Sequence, residues 1–267
     1  YGKMRFLSCG ILSLICFSPS TYATPFSHQQ FDQVLQQHVD SRGRVSYALL
    51  KENRSALDTY IDSLAAISPH NHPDRFPSRQ HQLAYWINAY NAFVLRGVID
   101  AYPVSSVMDI MRFNGFFRRR KFTAGGEELT LDSIENKIIR PTFEDPRIHF
   151  TVNCGAVSCP ELENRAFTGE DLDRRLEAAL RRFARNPKHV FLDSTAGKLY
   201  LSKILEWYGG DFVTWFPQER KPAARDPKLV DYLLPYLPAP AATYLERQPG
   251  IDLTFRDYDW ALNEQKP

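Results

Sequence analysis

The stretch RQHQLAYWINAYNAFVLRGVIDA, residues 79–101, decides the fold of this chain. Plotted at about 100° per residue, its apolar side chains surround nearly the whole circumference of a helix. Because such a helix has to be covered on all sides, the stretch predicts the buried central helix of a domain. Asn88 and Asn91 interrupt its apolar surface on one face. A buried amide without partners costs about 1–3 kcal/mol, so both are expected either to hold neighbouring loops or to face a polar site.

The segments before this helix predict a helical N-terminal layer at about residues 24–78. Apolar periodicity indicates one helix over Phe26–Val39 and a second over Tyr47–Ile67. Three prolines between Ser68 and Ser78 then predict a loop. His70 and His72 stand in this loop, and we interpret them as solvated residues rather than metal ligands, because nothing nearby supplies rigidity.

The segments after the central helix alternate between strand and helix patterns. They predict, in order, a hairpin over 121–131, a short helix capped by Asp132 with Glu135, a strand over 148–153, a helix over 168–184, a hairpin over 190–201, a helix capped by Ser202 and a terminal strand over 252–258. The predicted fold class is α+β: a central buried helix packed on a small, mainly antiparallel sheet.

The first residues have the pattern of a secretory signal peptide at residues 1–23. Lys3 and Arg5 supply its positive charge, and an apolar run over Phe6–Phe17 follows. Cleavage is expected between Ala23 and Thr24, which gives a periplasmic or secreted chain. The apolar run is too short to span a bilayer, and no later stretch is apolar enough. Met4 is the natural start of such a leader, so residues 1–3 are interpreted as a scar of expression or an upstream extension. Residues 24–267 are then expected to form a single α+β domain.

The charge of the chain excludes an electrostatic footprint for nucleic acid. Among 267 residues, 33 are basic and 31 acidic, for a net charge of +2. The densest basic run, Arg118–Lys121, is interpreted as a solvated edge or loop, with an anion or membrane-surface patch as the alternative. Walker loops, GxGxxG and HExxH are absent from the sequence, so we expect no cofactor. The expected partner is a small molecule or an envelope component of unknown identity.

The stretch HFTVNCGAVSCP, residues 149–160, holds both cysteines that follow the leader. A Cys154–Cys159 disulfide is the first expectation, because the intervening residues are small and an exported chain meets an oxidising compartment. A nucleophilic Cys154 comes second and would need a base to lower its pKa. A zinc site comes third, since it would require the chain to fold back to bring in His149, and no metal is predicted.

The predicted strand over 148–153 limits which side chains meet. His149 and Asn153 would share one face and look toward Asn88 or Asn91, whereas Cys154 would face the other way. His149 would therefore reach Cys154 only if the chain reversed after Asn153. The expected site is a polar cleft built from Asn88, Asn91, His149 and the Cys154 loop.

Four blocks of the sequence resemble the DUF547 family: LAYWINAYNAFVL, LDSIENKIIRPTFEDPRIHFTVNCGAVSCPEL, LSKILEWYGGDF and DYDWALN, between about Leu83 and Asn263. The resemblance implies a fold neighbourhood and site positions, but no reaction, because the function of the family is unassigned. This chain carries Asn136–Lys137 where a His-Gly pair is common in the family. The motif residues are Asn88, Asn91, Glu135, Arg140, His149, Asn153, Cys154, Cys159, Trp207 and Tyr208.

A fainter resemblance is to papain- and transglutaminase-like layouts, in which a helix N-terminus carries a cysteine nucleophile. Here Asn88 stands near that place instead. Three functions remain open: a hydrolase- or transferase-like enzyme with His149, Cys154 and Asn88 as catalytic residues, a binding module stabilised by the disulfide, and a thiol–disulfide redox protein. An open pocket shared by Asn88, Asn91 and His149 would favour the enzyme, and a closed network would favour the module.

Overall fold

The computed structural model describes residues 23–223 and 225–265. The predicted signal peptide lies outside these residues except for Ala23, the last residue before the expected cleavage site. Across the described ranges, every helix is too short or too polar to cross a bilayer.

Twelve α-helices are found in the described residues, together with a π-helical segment at Ile134–Ile139 and short 3₁₀ turns, one of them at Pro146–Phe150. The helices are α1 (Gln29–His38), α2 (Tyr47–Glu52), α3 (Ser55–Ala66), α4 (Arg79–Ala101), α5 (Gly115–Arg118), α6 (Leu131–Ser133), α7 (Arg140–Phe143), α8 (Leu172–Arg185), α9 (Lys203–Trp207), α10 (Gly209–Thr214), α11 (Leu229–Leu233) and α12 (Ala239–Arg247). The strands are β1 (Phe122–Ala124), β2 (Glu127–Leu129), β3 (Val190–Asp193), β4 (Lys198–Leu201) and β5 (Asp252–Phe255).

Helix α4 is the central, buried helix that its sequence predicts. It begins after Ser78, whose hydroxyl accepts a hydrogen bond from the backbone N–H of His81. Sixteen of its 23 residues are buried. The helix packs on the β1–β2 hairpin through Phe93, whose ring stacks on Phe122 with centroids 4.8 Å apart. The predicted α+β class is confirmed.

The strands form two small sheets that are mainly antiparallel. β1 pairs with β2 and β3 pairs with β4 in antiparallel fashion, while β5 adds to β4 in parallel. One hydrophobic core surrounds α4 and includes helices α1 to α3. A second core lies between α8, the three-stranded sheet and the helices from α9 to α12. Tyr258 packs against both cores, so the segment after β5 joins them.

The predicted strand over 148–153 is wrong. Residues Pro146–Phe150 form a 3₁₀ helix, which begins after Asp145 because the carboxylate of that residue accepts the backbone N–H of Arg147. Proline at the first helical position also favours this start. The alternation of apolar and polar residues suggested a strand with one buried face, but His149, Thr151 and Asn153 are buried like their apolar neighbours. The assignment of His149 and Cys154 to opposite strand faces therefore fails as well.

Three helix boundaries also differ from the prediction. The single helix expected over Tyr47–Ile67 is divided into α2 and α3 at Asn53. The predicted cap at Asp132 lies two residues too late, because the side chain of Thr130 caps the helix in a capping box with Ser133. The helix was expected to stop before Pro141 but continues to Phe143, since proline is tolerated in the first turn of α7.

Residues 258–265 close the structure by binding segments that are far apart in sequence. Isolated β-bridges join Glu264 to Val45 and Leu262 to Ala156. The side chain of Asn263 accepts a hydrogen bond of 2.7 Å from the hydroxyl of Tyr47. This closing segment fixes the cysteine loop against the N-terminal layer.

Candidate functional site

A cavity of about 410 Å³ opens beside the cysteine loop. Both cysteines, Cys154 and Cys159, border it. Carboxylates from the segment that follows the β1–β2 hairpin form one side. Four aromatic side chains form the other side, and we call them the aromatic wall: Phe117, Trp207, Tyr258 and Trp260.

The two thiols meet at one tyrosine hydroxyl. The Tyr258 hydroxyl lies 3.3 Å from the sulfur of Cys154 and 3.1 Å from that of Cys159. The Cys159 sulfur also accepts a hydrogen bond of 3.0 Å from the backbone N–H of Cys154. Both cysteines are free, so the predicted disulfide is not formed in this structure. Cys154 is half-buried, whereas Cys159 is buried.

The surroundings of the two thiols shift their pKa values in opposite directions. Burial raises the pKa of Cys159, but hydrogen bonds from Cys154 and Tyr258 outweigh it and lower the pKa to about 7. The pKa of Cys154 is raised well above its usual value by its neighbour Cys159 and by burial. The pair therefore loses one proton near neutral pH and keeps the other. Of the two sulfurs, Cys159 is the one whose hydrogen bonds favour the thiolate.

Asn153 shapes the loop between the cysteines. Its side chain accepts the backbone N–H of Gly155 at 2.7 Å and donates to the carbonyl of Pro160, also at 2.7 Å. Gly155 has φ +84°, a left-handed conformation in which a side chain would be strained. These contacts curl the loop so that Cys159 returns to Cys154. Asn153 is a positioning residue for the thiol pair.

Asn88 and Asn91 do not line the cavity, which corrects the predicted cleft. Each amide pairs with backbone in both directions. Asn88 donates to the carbonyl of Phe167 at 2.8 Å and accepts its N–H at 2.9 Å. Asn91 donates to the carbonyl of Thr151 at 2.9 Å and accepts the N–H of Asn153 at 2.8 Å. Both side chains are buried and act on the loops that α4 supports.

His149 borders the cavity but is enclosed. Its Nε2 lies 2.8 Å from a carboxylate oxygen of Asp211, so it donates there in the neutral tautomer. Arg140 donates to both oxygens of the same carboxylate at 2.7 Å. The ring of Tyr208 stacks on the imidazole with centroids 3.9 Å apart. The remaining nitrogen, Nδ1, is buried and has no hydrogen-bond partner among the described residues. No hydrogen bond joins His149 to either thiol in this part of the chain.

Asp211 is a site residue that sequence reasoning missed. Burial raises its pKa, but the hydrogen bonds from His149 and Arg140 outweigh burial and lower the pKa to about 2. It lies in the first turns of α10, directly after two glycines, in a block that was assigned to the family motif for Trp207 and Tyr208. A lone acidic residue after Gly-Gly gave no signal of its own.

The low pKa of Asp211 predicts an acid-sensitive contribution to stability. The folded pKa of about 2 lies below the usual 3.8, so this contribution is complete above 3.8 and is lost as the pH falls toward 2. It amounts to about 2 kcal/mol. Urea unfolding at about pH 5 and about pH 2.5 should show a larger loss in the wild type than in Asp211→Asn. Equal losses in the two proteins would contradict the assignment.

Glu135 presents a buried carboxylate to the cavity. The side chain is 8% exposed and lies on the π-helical segment. Within the described ranges no basic side chain forms an ion pair with it. Burial raises the pKa of the Tyr208 hydroxyl, and the charge of Glu135 raises it further. Asn136 accepts a hydrogen bond of 2.8 Å from Arg140 and also borders the cavity.

The aromatic wall combines one predicted and three unpredicted residues. Trp207, from the family motif, is 47% exposed and packs on Tyr258 and Trp260, with centroids 4.8 Å and 5.8 Å away. Tyr258 and Trp260 lie 4.5 Å apart. They belong to the quoted block DYDWALN, whose spacing of aromatic residues was the available signal. Among the described residues no group of three metal-ligating side chains converges here or elsewhere.

Comparison with known proteins supports the predicted resemblance. Residues 74–184 match the family model described as "Protein of unknown function, DUF547". The matched part contains both asparagines of α4, Glu135, Arg140, His149 and both cysteines. Asp211 and most of the aromatic wall lie after it. Searches of curated proteins and of solved structures found no match.

Proposed function

We propose that this chain, whose residues 74–184 match the DUF547 family model, is an exported thiol–disulfide redox protein that uses Cys154 and Cys159. The observation that carries the proposal is the hydroxyl of Tyr258, which contacts both sulfurs at the edge of one cavity. A reactive pair needs a stabilised thiolate and a second thiol beside it, and both are present.

The order of the exchange steps follows from the different pKa values of Cys154 and Cys159. The Cys159 thiolate attacks one sulfur of a substrate disulfide, so a mixed disulfide forms and the other substrate sulfur leaves as a thiolate. Cys154 then loses its proton and attacks the Cys159 sulfur of the mixed disulfide. This step releases the second substrate thiolate and leaves a Cys154–Cys159 bond. Two electrons pass from the protein to the substrate, and both released thiolates take protons from water.

The accessible sulfur and the charged sulfur are different atoms, and this determines the expected intermediates. We expect Cys154→Ser to accumulate a mixed disulfide on Cys159 when treated with a small disulfide. Cys159→Ser should react more slowly, because burial still raises the pKa of Cys154 after the neighbouring thiol has been removed. Mass spectrometry of the trapped adducts tests this order, and a stable adduct only on Cys154 would contradict it.

The reduction potential separates a reactive pair from a permanent disulfide. Structural disulfides have potentials below about −300 mV, whereas thiol–disulfide exchange proteins lie between about −120 and −270 mV. Equilibration of the protein with glutathione buffers, followed by a count of free thiols, should place this pair in the second range. A potential below about −300 mV would favour the binding module, in which the disulfide only stabilises the loop.

A hydrolase or transferase is the second candidate, because His149, which is hydrogen-bonded to Asp211, borders the same cavity as Cys154. In that reaction Cys154 attacks a carbonyl carbon, forms a thioester and releases the leaving group, with His149 as the base. The ring would first have to free Nδ1 from its enclosure. If this candidate is right, Cys159→Ser keeps the release of nitrophenol from an ester panel, while His149→Gln loses it without loss of stability.

Export is proposed from the leader sequence. Its test is the N-terminus of protein recovered from the periplasm or medium of a secreting host, which is expected near Thr24. Retention of the leader on recovered protein would count against export.

A further inference from the structure

The ionisable groups around the cavity leave it with excess negative charge. Glu135 has no ion-pair partner within the described ranges, and the thiol pair holds a thiolate near neutral pH. Asp132 has Arg118 at 3.8 Å, but that arginine is 68% exposed and is the one arginine or lysine bordering the cavity in the described part of the chain. Arg140 donates two hydrogen bonds to Asp211 and does not line the cavity.

The aromatic wall faces the same space as Glu135. Its rings pack against one another in tilted and stacked arrangements, with neighbouring centroids 4.5 to 6.4 Å apart. Aromatic faces attract cations through the quadrupole of the ring, and this attraction grows when the cation is desolvated. A carboxylate and several ring faces on one small cavity therefore favour a ligand that is positively charged.

We propose that the cavity binds a protonated primary amine, whose N–H groups donate to Glu135 and whose charge lies against the aromatic wall. The inference rests on the proposed thiol–disulfide exchange and names its substrate class: a small disulfide that carries an ammonium group. A primary amine is preferred over a quaternary one because only the former donates hydrogen bonds to the carboxylate.

Other ligand classes fit the cavity less well. An anionic ligand would lie beside Glu135 and the Cys159 thiolate, and like charges at close range repel. A neutral apolar ligand would cover Glu135 and remove it from water without supplying a donor, which is unfavourable for a charged group. An ammonium group avoids both penalties, because its positive charge and its N–H donors satisfy the Glu135 carboxylate that it removes from water.

A binding experiment tests the inference without any thiol chemistry. In the variant with both Cys154→Ser and Cys159→Ser, butylamine, butan-1-ol and butyrate are titrated while the fluorescence of Trp207 and Trp260 is followed. Butylamine should bind at least about 10-fold more tightly than the other two. Adding Glu135→Gln should remove this preference, whereas the matched control Glu128→Gln, on the exposed edge of β2, should keep it.

A kinetic experiment compares three small disulfides on the reduced wild-type protein. Cystamine carries two ammonium groups, 2-hydroxyethyl disulfide is neutral and dithiodiglycolate carries two carboxylates. Cystamine should oxidise the pair at least about 10-fold faster than the neutral compound, after correction for its rate with free cysteine, and Glu135→Gln should reduce this ratio to near unity.

The two experiments distinguish failure of the inference from failure of the proposed function. If butylamine binds preferentially but no disulfide oxidises the pair, the amine site is supported and the redox function is overturned. Oxidation at equal rates by all three disulfides, together with equal binding of the three butyl probes, would overturn the amine site and leave the redox function. If Glu135→Gln unfolds, Trp207→Leu serves instead, and unchanged amine binding in that variant would overturn the inference.

Discussion

Replacing Asn88 with leucine should lower the free energy of unfolding by about 2–5 kcal/mol, because two buried backbone groups lose their partners. Leucine has the branched shape of asparagine with a larger volume, and it can neither donate to the carbonyl of Phe167 nor accept its N–H. Each stranded group costs about 1–3 kcal/mol. Urea denaturation followed by circular dichroism measures the change, and the slope of the transition should stay constant if the denatured state is unaffected.

The matched control is Asn53→Leu, at the exposed end of α2, which should change stability by less than about 1 kcal/mol. Wild-type stability in Asn88→Leu would show that the Phe167 loop is held by other contacts. If Asn88→Leu kept its stability and lost activity, the catalytic role first predicted for Asn88 would be restored.

Replacing Asp211 with alanine should also destabilise the fold strongly, by about 3 kcal/mol. The carboxylate is the common acceptor for Arg140 and His149, so its removal leaves a guanidinium and an imidazole without their partner. Loss of one partner from a buried ion pair costs more than the pair contributes, since the remaining charge stays desolvated. Thermal and urea unfolding at neutral pH measure the effect.

Asp173→Ala provides the comparison, because Asp173 forms an ion pair with Arg147 but is 79% exposed. Screened surface pairs contribute about 0–1 kcal/mol, so this variant should stay close to the wild type. Similar losses in both variants would show that the Asp211 carboxylate is better solvated than its burial indicates. The stacking of Tyr208 on His149 should loosen in Asp211→Ala, which nuclear magnetic resonance of the ring protons can detect.

The central part of the fold could be predicted from sequence because its signals are local and long. Helix α4 has 23 residues of one pattern, and its predicted ends coincide with those of the structure. The hairpins follow from turn residues such as Gly125 and Gly126, both with positive φ. Signals of this kind depend on neighbours within a few residues, so no tertiary contact overrides them.

The wrong strand at 148–153 shows where a short pattern becomes ambiguous. Six residues of alternating polarity fit a half-buried strand, and here they form a turn in which all six side chains are buried. Asp145–Pro146 was the decisive signal, since an acceptor followed by proline starts a helix. The error extended to the site, because it placed His149 and Cys154 on opposite faces.

The site was predictable only in the residues that share one block of sequence. Glu135, His149 and the two cysteines lie within 25 positions of each other and were identified together. Tyr258 and Trp260 reach the cavity through long-range packing, and Asp211 contacts His149 behind it. Their side chains have no local pattern that indicates a partner, so neither the shared acceptor for Arg140 nor the hydroxyl between the thiols could be foreseen.

The contact of Tyr258 with the thiols also has a consequence for how the chain is made. Cys159 leaves the ribosome 99 residues before Tyr258 does. At about 5–20 residues per second, the cysteines precede their tyrosine by about 5–20 s. Disulfide formation takes seconds to hours, so oxidation of the nascent pair competes with translation itself. If the chain is exported while it is being made, the rates of synthesis and of oxidation together set the first oxidation state of each molecule, and slower translation should shift new molecules toward the oxidised form.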